Sequence, residues 1–186
     1  MTCIVGYTDG KHVVIGGDSA GVANYSIDIR ADEKVFIRDG FIFGFTSSFR
    51  MGQLLRYNLV IPKHPPKMDT MTFMVKVLVP SIRKCFRDEG YMEVNSSREE
   101  GGTFLVGYKG ELFSIQSDFQ VAKNINAYDA IGCGADIAKG SLFTTRADGT
   151  ALDVKVEVAL NAAEAHSAGV SAPFVILTGG KVSTKK

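Results

Sequence analysis

Asp9-Gly10 stands between two apolar runs, residues 3–7 and 12–17, and Asp39-Gly40 repeats the arrangement between residues 35–37 and 41–45. A two-residue turn that enters the left-handed backbone region joins antiparallel neighbours, so each dipeptide predicts a β-hairpin. Lys109-Gly110 predicts a third, between residues 103–108 and 111–116. Between these hairpins the apolar period changes. Met51, Leu54, Leu55 and Leu59 recur at helical spacing behind Ser47 or Ser48 as N-cap, and Asp69 caps a second helix reaching about Asp88, with a kink expected at Pro80. Residues 61–66 hold three prolines and form a loop.

A polar stretch over residues 89–100 leads to the third hairpin, and short strands follow at about 121–123 and 127–131. Helices are predicted over Ala135–Thr145 and residues 154–167, and a last strand over 174–178. Two antiparallel sheets, each followed by a helix pair, predict an α+β fold. It is a four-layer αββα sandwich in which the sheets stack and the helices cover them, a single domain over residues 1–186.

The chain has 186 residues, 45% hydrophobic and 22% charged, the balance of a globular domain with a full core. Its 21 Lys and Arg against 20 Asp and Glu leave a net charge of +1, with no basic stripe for a phosphate backbone, so nucleic acid is not an expected partner. No apolar run approaches the roughly 18 residues that cross a bilayer, and no secretory leader pattern opens the chain; the expected location is the cytoplasm, away from membranes. Cys3, Cys85 and Cys133 lack CxxC spacing, which indicates neither a disulfide framework nor a zinc site and makes each by default a small core residue. No cofactor is expected, and the sequence assigns no metal ligand.

Thr2 follows the initiator methionine, and a residue this small lets methionine aminopeptidase expose it as a free N-terminus. Such a threonine carries a nucleophile and a base on one residue: its α-amine titrates near ~7.7–8.0 and can take the hydroxyl proton.

Around it the residues fall into a pattern. Thr2 opens a short strand, a turn and a second strand ending Gly17-Asp18; Glu33-Lys34-Val35 precedes the next hairpin; Gly44-Phe45-Thr46-Ser47 leads into a helix. Ile131-Gly132-Cys133-Gly134 turns into another, and Glu164 stands three places before Ser167. This pattern resembles the proteasome-like branch of the N-terminal nucleophile hydrolases, which includes the peptidase subunit of the bacterial HslUV protease and proteasome β subunits. The resemblance covers nearly the whole chain. It implies a threonine peptidase acting on unfolded polypeptide inside a homo-oligomeric double ring, often served by an ATP-dependent unfoldase.

The resemblance also implies roles. Thr2 attacks the peptide carbonyl, Lys34 favours the alkoxide and is held charged by Asp18, and the Ser47 backbone amide receives the oxyanion. Glu164 and Ser167 hydrogen-bond the α-amine. Ser47 replaces a usual glycine, Cys133 a serine that orients the amine or a water, and Glu164 an aspartate. Two other readings stay open: a ring or scaffold subunit without turnover, and a small-molecule amidase of the same superfamily.

Overall fold

The computed structural model describes residues 1–95 and 97–179. Strands β1 (Cys3–Thr8) and β2 (Val13–Gly17) form the first hairpin. A ribbon of β3 (Ala20–Ala23) and β4 (Ser26–Ile29) follows, then β5 (Val35–Arg38) and β6 (Phe41–Phe45). Helix α1 (Phe49–Gln53) runs on as a π turn over Leu54–Asn58. Helix α2 (Thr70–Phe73) passes through a π turn, Met74–Leu78, into α3 (Val79–Asp88). A second ribbon, β7 (Glu93–Asn95) and β8 (Arg98–Glu100), precedes β9 (Phe104–Tyr108), β10 (Glu111–Ile115), β11 (Val121–Ala122) and β12 (Tyr128–Gly132). Helices α4 (Ala135–Thr145) and α5 (Leu152–His166) and strand β13 (Val175–Gly179) complete the described chain.

One antiparallel sheet has the order β12-β1-β2-β13 and the other β11-β10-β9-β6-β5. Side-chain alternation assigns the layers. Cys3, Val5 and Tyr7 of β1 pack outward under α4 and α5 with Ala138, Leu142, Val156 and Leu160. Ile4 of the same strand faces the other way, onto Val35, Ile42, Leu105 and Leu112 between the sheets. Phe41, Phe43 and Phe45 of β6 turn to α1–α3, where Met51, Leu54, Phe73 and Phe86 close the third apolar layer. The order is therefore helices, sheet, sheet, helices. The sheets approach closely because β6 carries glycine at its inner position: a Cβ on Gly44 would lie 2.6 Å from Ile4 Cγ2.

The expected pairing of sheets with successive chain segments is corrected. Each sheet draws on both halves: β1 pairs with β12 and β2 with β13, while β6, with β5 on its other edge, pairs with β9. Strands β1, β2 and β6 are buried on both faces, so no polar side told which layer they join. The helix expected from Asp69 to Asp88 is interrupted at Met74–Leu78, where Val79 N–H donates to Met74 O. Pro80, just beyond, has no amide for the regular ladder, and the π turn absorbs that loss. The ribbons β3–β4 and β7–β8 were not expected, the second lying within the polar stretch. Of the cysteines, Cys3 alone is buried; Cys85 is half-buried and Cys133 exposed. No helix among the described residues is long and apolar enough to cross a membrane.

Candidate functional site

The ends of β1, β2, β6 and β12 meet at one end of the sandwich, and the candidate residues arrive there on separate elements. Asp18 directly follows β2, and its carboxylate is enclosed. Oδ1 accepts from Lys34 Nζ at 2.9 Å and from Cys3 N at 2.9 Å, and Oδ2 from Ala20 N at 3.0 Å and Ser171 N at 3.5 Å. The pair is sealed from solvent, with side-chain exposures of 1% for Lys34 and 0% for Asp18. A buried carboxylate is tolerated at this level of hydrogen bonding and charge pairing. Burial pushes the Lys34 ammonium below its ordinary value, and the Asp18 charge opposes that shift. Lys34 Nζ also donates to Ala20 O at 2.6 Å. Of its three N–H donors, two are engaged, and the third has no acceptor among the described residues.

Thr2 precedes β1 and is 5% exposed. Its nitrogen donates to Cys133 Sγ at 3.3 Å, and its hydroxyl donates to Met1 O. Cys133 Sγ in turn donates to Thr2 O at 3.4 Å and lies 3.4 Å from Ser167 Oγ. Register explains the contact. Cys3 is opposite Gly132 in the β1–β12 ladder, so the turn after β12 folds over Thr2. Gly132 has φ +95°, and a Cβ there would sit 2.2 Å from Thr2 O; only glycine allows this approach.

Ser47 occupies the turn before α1 with φ +70°, a left-handed conformation. Its Oγ accepts from Thr103 N at 3.2 Å. Its amide has no hydrogen-bond acceptor among the described residues and is open to a ligand. Ser48, the actual N-cap of α1, accepts from Arg50 N at 3.1 Å.

Two cavities flank Thr2. A small one, of about 80 Å³, is lined by Thr2, Lys34, Ser47, Val22, Phe45 and Phe49 among others. An open trough of about 540 Å³ is lined by Ser47, Cys133, Gly132, Gln116, Asp129 and Lys139 among others. Met1, Thr46 and Ser47 line both.

The structure thus brings Thr2, Asp18, Lys34, Ser47, Cys133 and Ser167 to one place. Glu164 has no hydrogen bond with the Thr2 nitrogen among the described residues: its Oε1 accepts from Ala172 N at 2.7 Å and holds the segment after α5. Asp129, Lys139 and Gln116 were missed in the sequence. The readable signal was Asp129, a carboxylate inside the apolar strand Tyr128-Asp129-Ala130-Ile131.

Helices, sheet, sheet and helices in this order are the architecture of the proteasome-like N-terminal nucleophile hydrolase fold. No protein-family model matches the sequence, and no curated protein matches it. Solved structures do. BPH of Thiobacillus denitrificans, in complex with epoxomicin, is similar with a TM-score of 0.80 and 16% identity, over 96% of this chain and 98% of that one. Eukaryotic HslV from Trypanosoma brucei gives 0.69 and 16%, over 95% and 98%. Anbu, an ancestral beta-subunit from Yersinia bercovieri, gives 0.66 and 16%, over 97% and 82%. At these identities the likeness establishes the fold.

Proposed function

We propose that the chain is an N-terminal threonine peptidase, active once cleavage before Thr2 frees its amine, that degrades unfolded protein or peptides inside a ring of its own copies. The observation that carries this reading is the free third donor of Lys34, a buried and charge-paired ammonium that lines one small cavity with Thr2 and the unbonded Ser47 amide.

The reaction follows from these positions. Thr2 Oγ1 attacks the substrate carbonyl and its proton passes to the Thr2 α-amine, directly or through one water. Lys34 favours the alkoxide and the Ser47 amide receives the oxyanion. The C–N bond then breaks, the leaving amine takes the proton from the α-amine, and an ester remains on Thr2. Water hydrolyses the ester by the same route and returns the proton to the hydroxyl. Cys133, bonded to the Thr2 nitrogen, holds the amine, and Ser167 donates to Cys133 Sγ from behind it; Glu164 acts through the segment at Ala172. Met1 lines both cavities, so its removal opens the Thr2 end of the site to substrate.

Ring assembly is supported by exposed apolar side chains on the β3–β4 ribbon, Tyr25, Ile27 and Ile29, next to the site. An ATP-driven unfoldase would supply extended substrate. Intact mass and hydrolysis of a fluorogenic peptide panel test the proposal, using wild type, Thr2→Ala and N-acetylated protein. Wild type should begin at Thr2 and cleave, Thr2→Ser should retain some turnover, and both Thr2→Ala and the acetylated form should be inactive. Equal activity in all proteins removes the threonine mechanism. A correctly processed but inert wild type points to the scaffold subunit, and cleavage of a small amide with no peptide release points to the amidase.

A further inference from the structure

The two cavities beside Thr2 differ in chemistry, and the proton path orients them. Resting on the peptidase reading, the group that carries the hydroxyl proton to the departing amine is the Thr2 nitrogen. That nitrogen is bonded to Cys133 Sγ at 3.3 Å, and Cys133 lines the trough rather than the small cavity. The departing amine must lie within reach of the same nitrogen. The chain on the C-terminal side of the cleaved bond therefore leaves through the trough, and the acyl side occupies the small cavity under Lys34 and Phe49.

The trough carries one ion pair on its wall. Lys139, on α4, lies 2.8 Å from Asp129 Oδ1, on β12, and the two are unequally exposed, with side-chain exposures of 42% and 12%. The same Asp129 Oδ1 accepts from Ala130 N at 2.8 Å. The carboxylate is thus tied into the strand, while the ammonium has no further polar partner among the described residues. A lysine has three donors, so two remain for a guest. Of the pair, the ammonium is the member more exposed to a substrate in the trough.

We infer that the trough is the leaving-side subsite and that Lys139 makes it select an acidic side chain just after the cleaved bond. Lys139 is a specificity residue in this assignment, not part of the proton path. Asp129 positions it and repels a second carboxylate from the strand side, which holds the selected acid at the Lys139 end. Gln116, also on the wall, offers an amide to the substrate backbone.

The test separates binding from turnover. Fluorescence anisotropy measures the binding of two labelled alanine-rich peptides, identical except for one aspartate or one lysine, to Thr2→Ala protein. The aspartate peptide should bind about tenfold more tightly, a difference that Lys139→Gln abolishes and Lys139→Glu reverses; the neutral variant covers the case in which the reversed charge disturbs folding beside Asp129. Equal binding, no binding of either peptide, or a preference untouched by Lys139→Gln overturns the subsite. With wild-type protein, internally quenched versions of the peptides should be cut on the N-terminal side of the aspartate. Hydrolysis that ignores the acidic residue refutes the subsite and leaves the peptidase standing. A Lys139-dependent binding preference with no hydrolysis by correctly processed protein refutes the peptidase and, with it, the leaving-side assignment.

Discussion

Asp18 Oδ1 is shared by the Lys34 ammonium and the Cys3 amide, each at 2.9 Å, so one buried oxygen ties the cation of the site to the residue after Thr2. Removing the cation alone strands the carboxylate. We expect Lys34→Ala to lose about 3–5 kcal/mol of stability, the range for breaking a buried pair, together with roughly 10²–10⁴-fold in turnover. Asp18→Asn combined with Lys34→Met should recover most of the stability and none of the turnover. Urea midpoints and peptide hydrolysis on the same preparations decide it; turnover returning with stability would make the pair structural only.

The Ser47 turn sets two effects of similar size against each other. A non-glycine residue at φ +70° is strained by about 1 kcal/mol or somewhat more, and the bond from Thr103 N to Ser47 Oγ returns about the same amount. Ser47→Gly, which loses both, should leave stability within about 1 kcal/mol of wild type and keep turnover, since the oxyanion donor is main chain. Ser47→Ala keeps the strain and loses the bond, and should be the less stable of the two by about 1 kcal/mol. The opposite order in chemical denaturation would show that the turn does not hold the serine under strain.

Gly132 can be tested by a single methyl group. Its Cβ would stand 2.2 Å from the Thr2 carbonyl oxygen, in a backbone conformation that other residues rarely adopt. Gly132→Ala should destabilise by at least ~2 kcal/mol and suppress acylation of Thr2, because the strand end carrying the nucleophile must move. Gly140→Ala, on the same α4 side and with nothing within 4 Å of the added Cβ, is the control. Equal melting temperatures and equal labelling by an acylating inhibitor for the two variants would contradict the crowding at Thr2.

Local chemistry was legible in the sequence and long-range assignment was not. The turns at Asp9-Gly10, Asp39-Gly40 and Lys109-Gly110 lie where expected, with φ of +83°, +81° and +80° at their glycines. Their strands were sorted into the wrong sheets, because a strand such as Phe41–Phe45, buried on both faces, carries no polar side to orient it. The β3–β4 ribbon went unread for the opposite reason: Ser26–Ile29 is exposed throughout, so its apolar residues face nothing in this chain. At the site, Thr2 was legible from its place behind Met1, and Asp18 and Lys34 only through the order and spacing of the family pattern, whereas the Glu164 partner at Ala172 and the Asp129–Lys139 pair depend on packing of α4, α5 and β12.

Cys3 gives a pH test of the burial behind the site. Burial foremost, and then the charges of Asp18 and Cys133, push its thiol from an ordinary 9.0 up to about 12. A group whose folded pKa lies above its unfolded value stabilises fully below the unfolded pKa and loses that contribution as pH rises towards the folded one. The window is therefore pH 9 to 12. Within it the Cys3 contribution should fall by about 1.4 kcal/mol per pH unit. The neighbouring Lys34, shifted downward, acts with the opposite sign, but it is present in both wild type and Cys3→Ala and cancels in their difference. Unfolding free energies of the two proteins should keep a constant gap between pH 7 and 8.5, and wild type should lose ground to the variant between pH 9 and 10.5. Thiol labelling at pH 8 should accompany this, with exposed Cys133 reacting in the folded protein and buried Cys3 only after denaturation. A gap that ignores pH, or early labelling of Cys3, would mean that the strand carrying Thr2 is not buried as the structure has it.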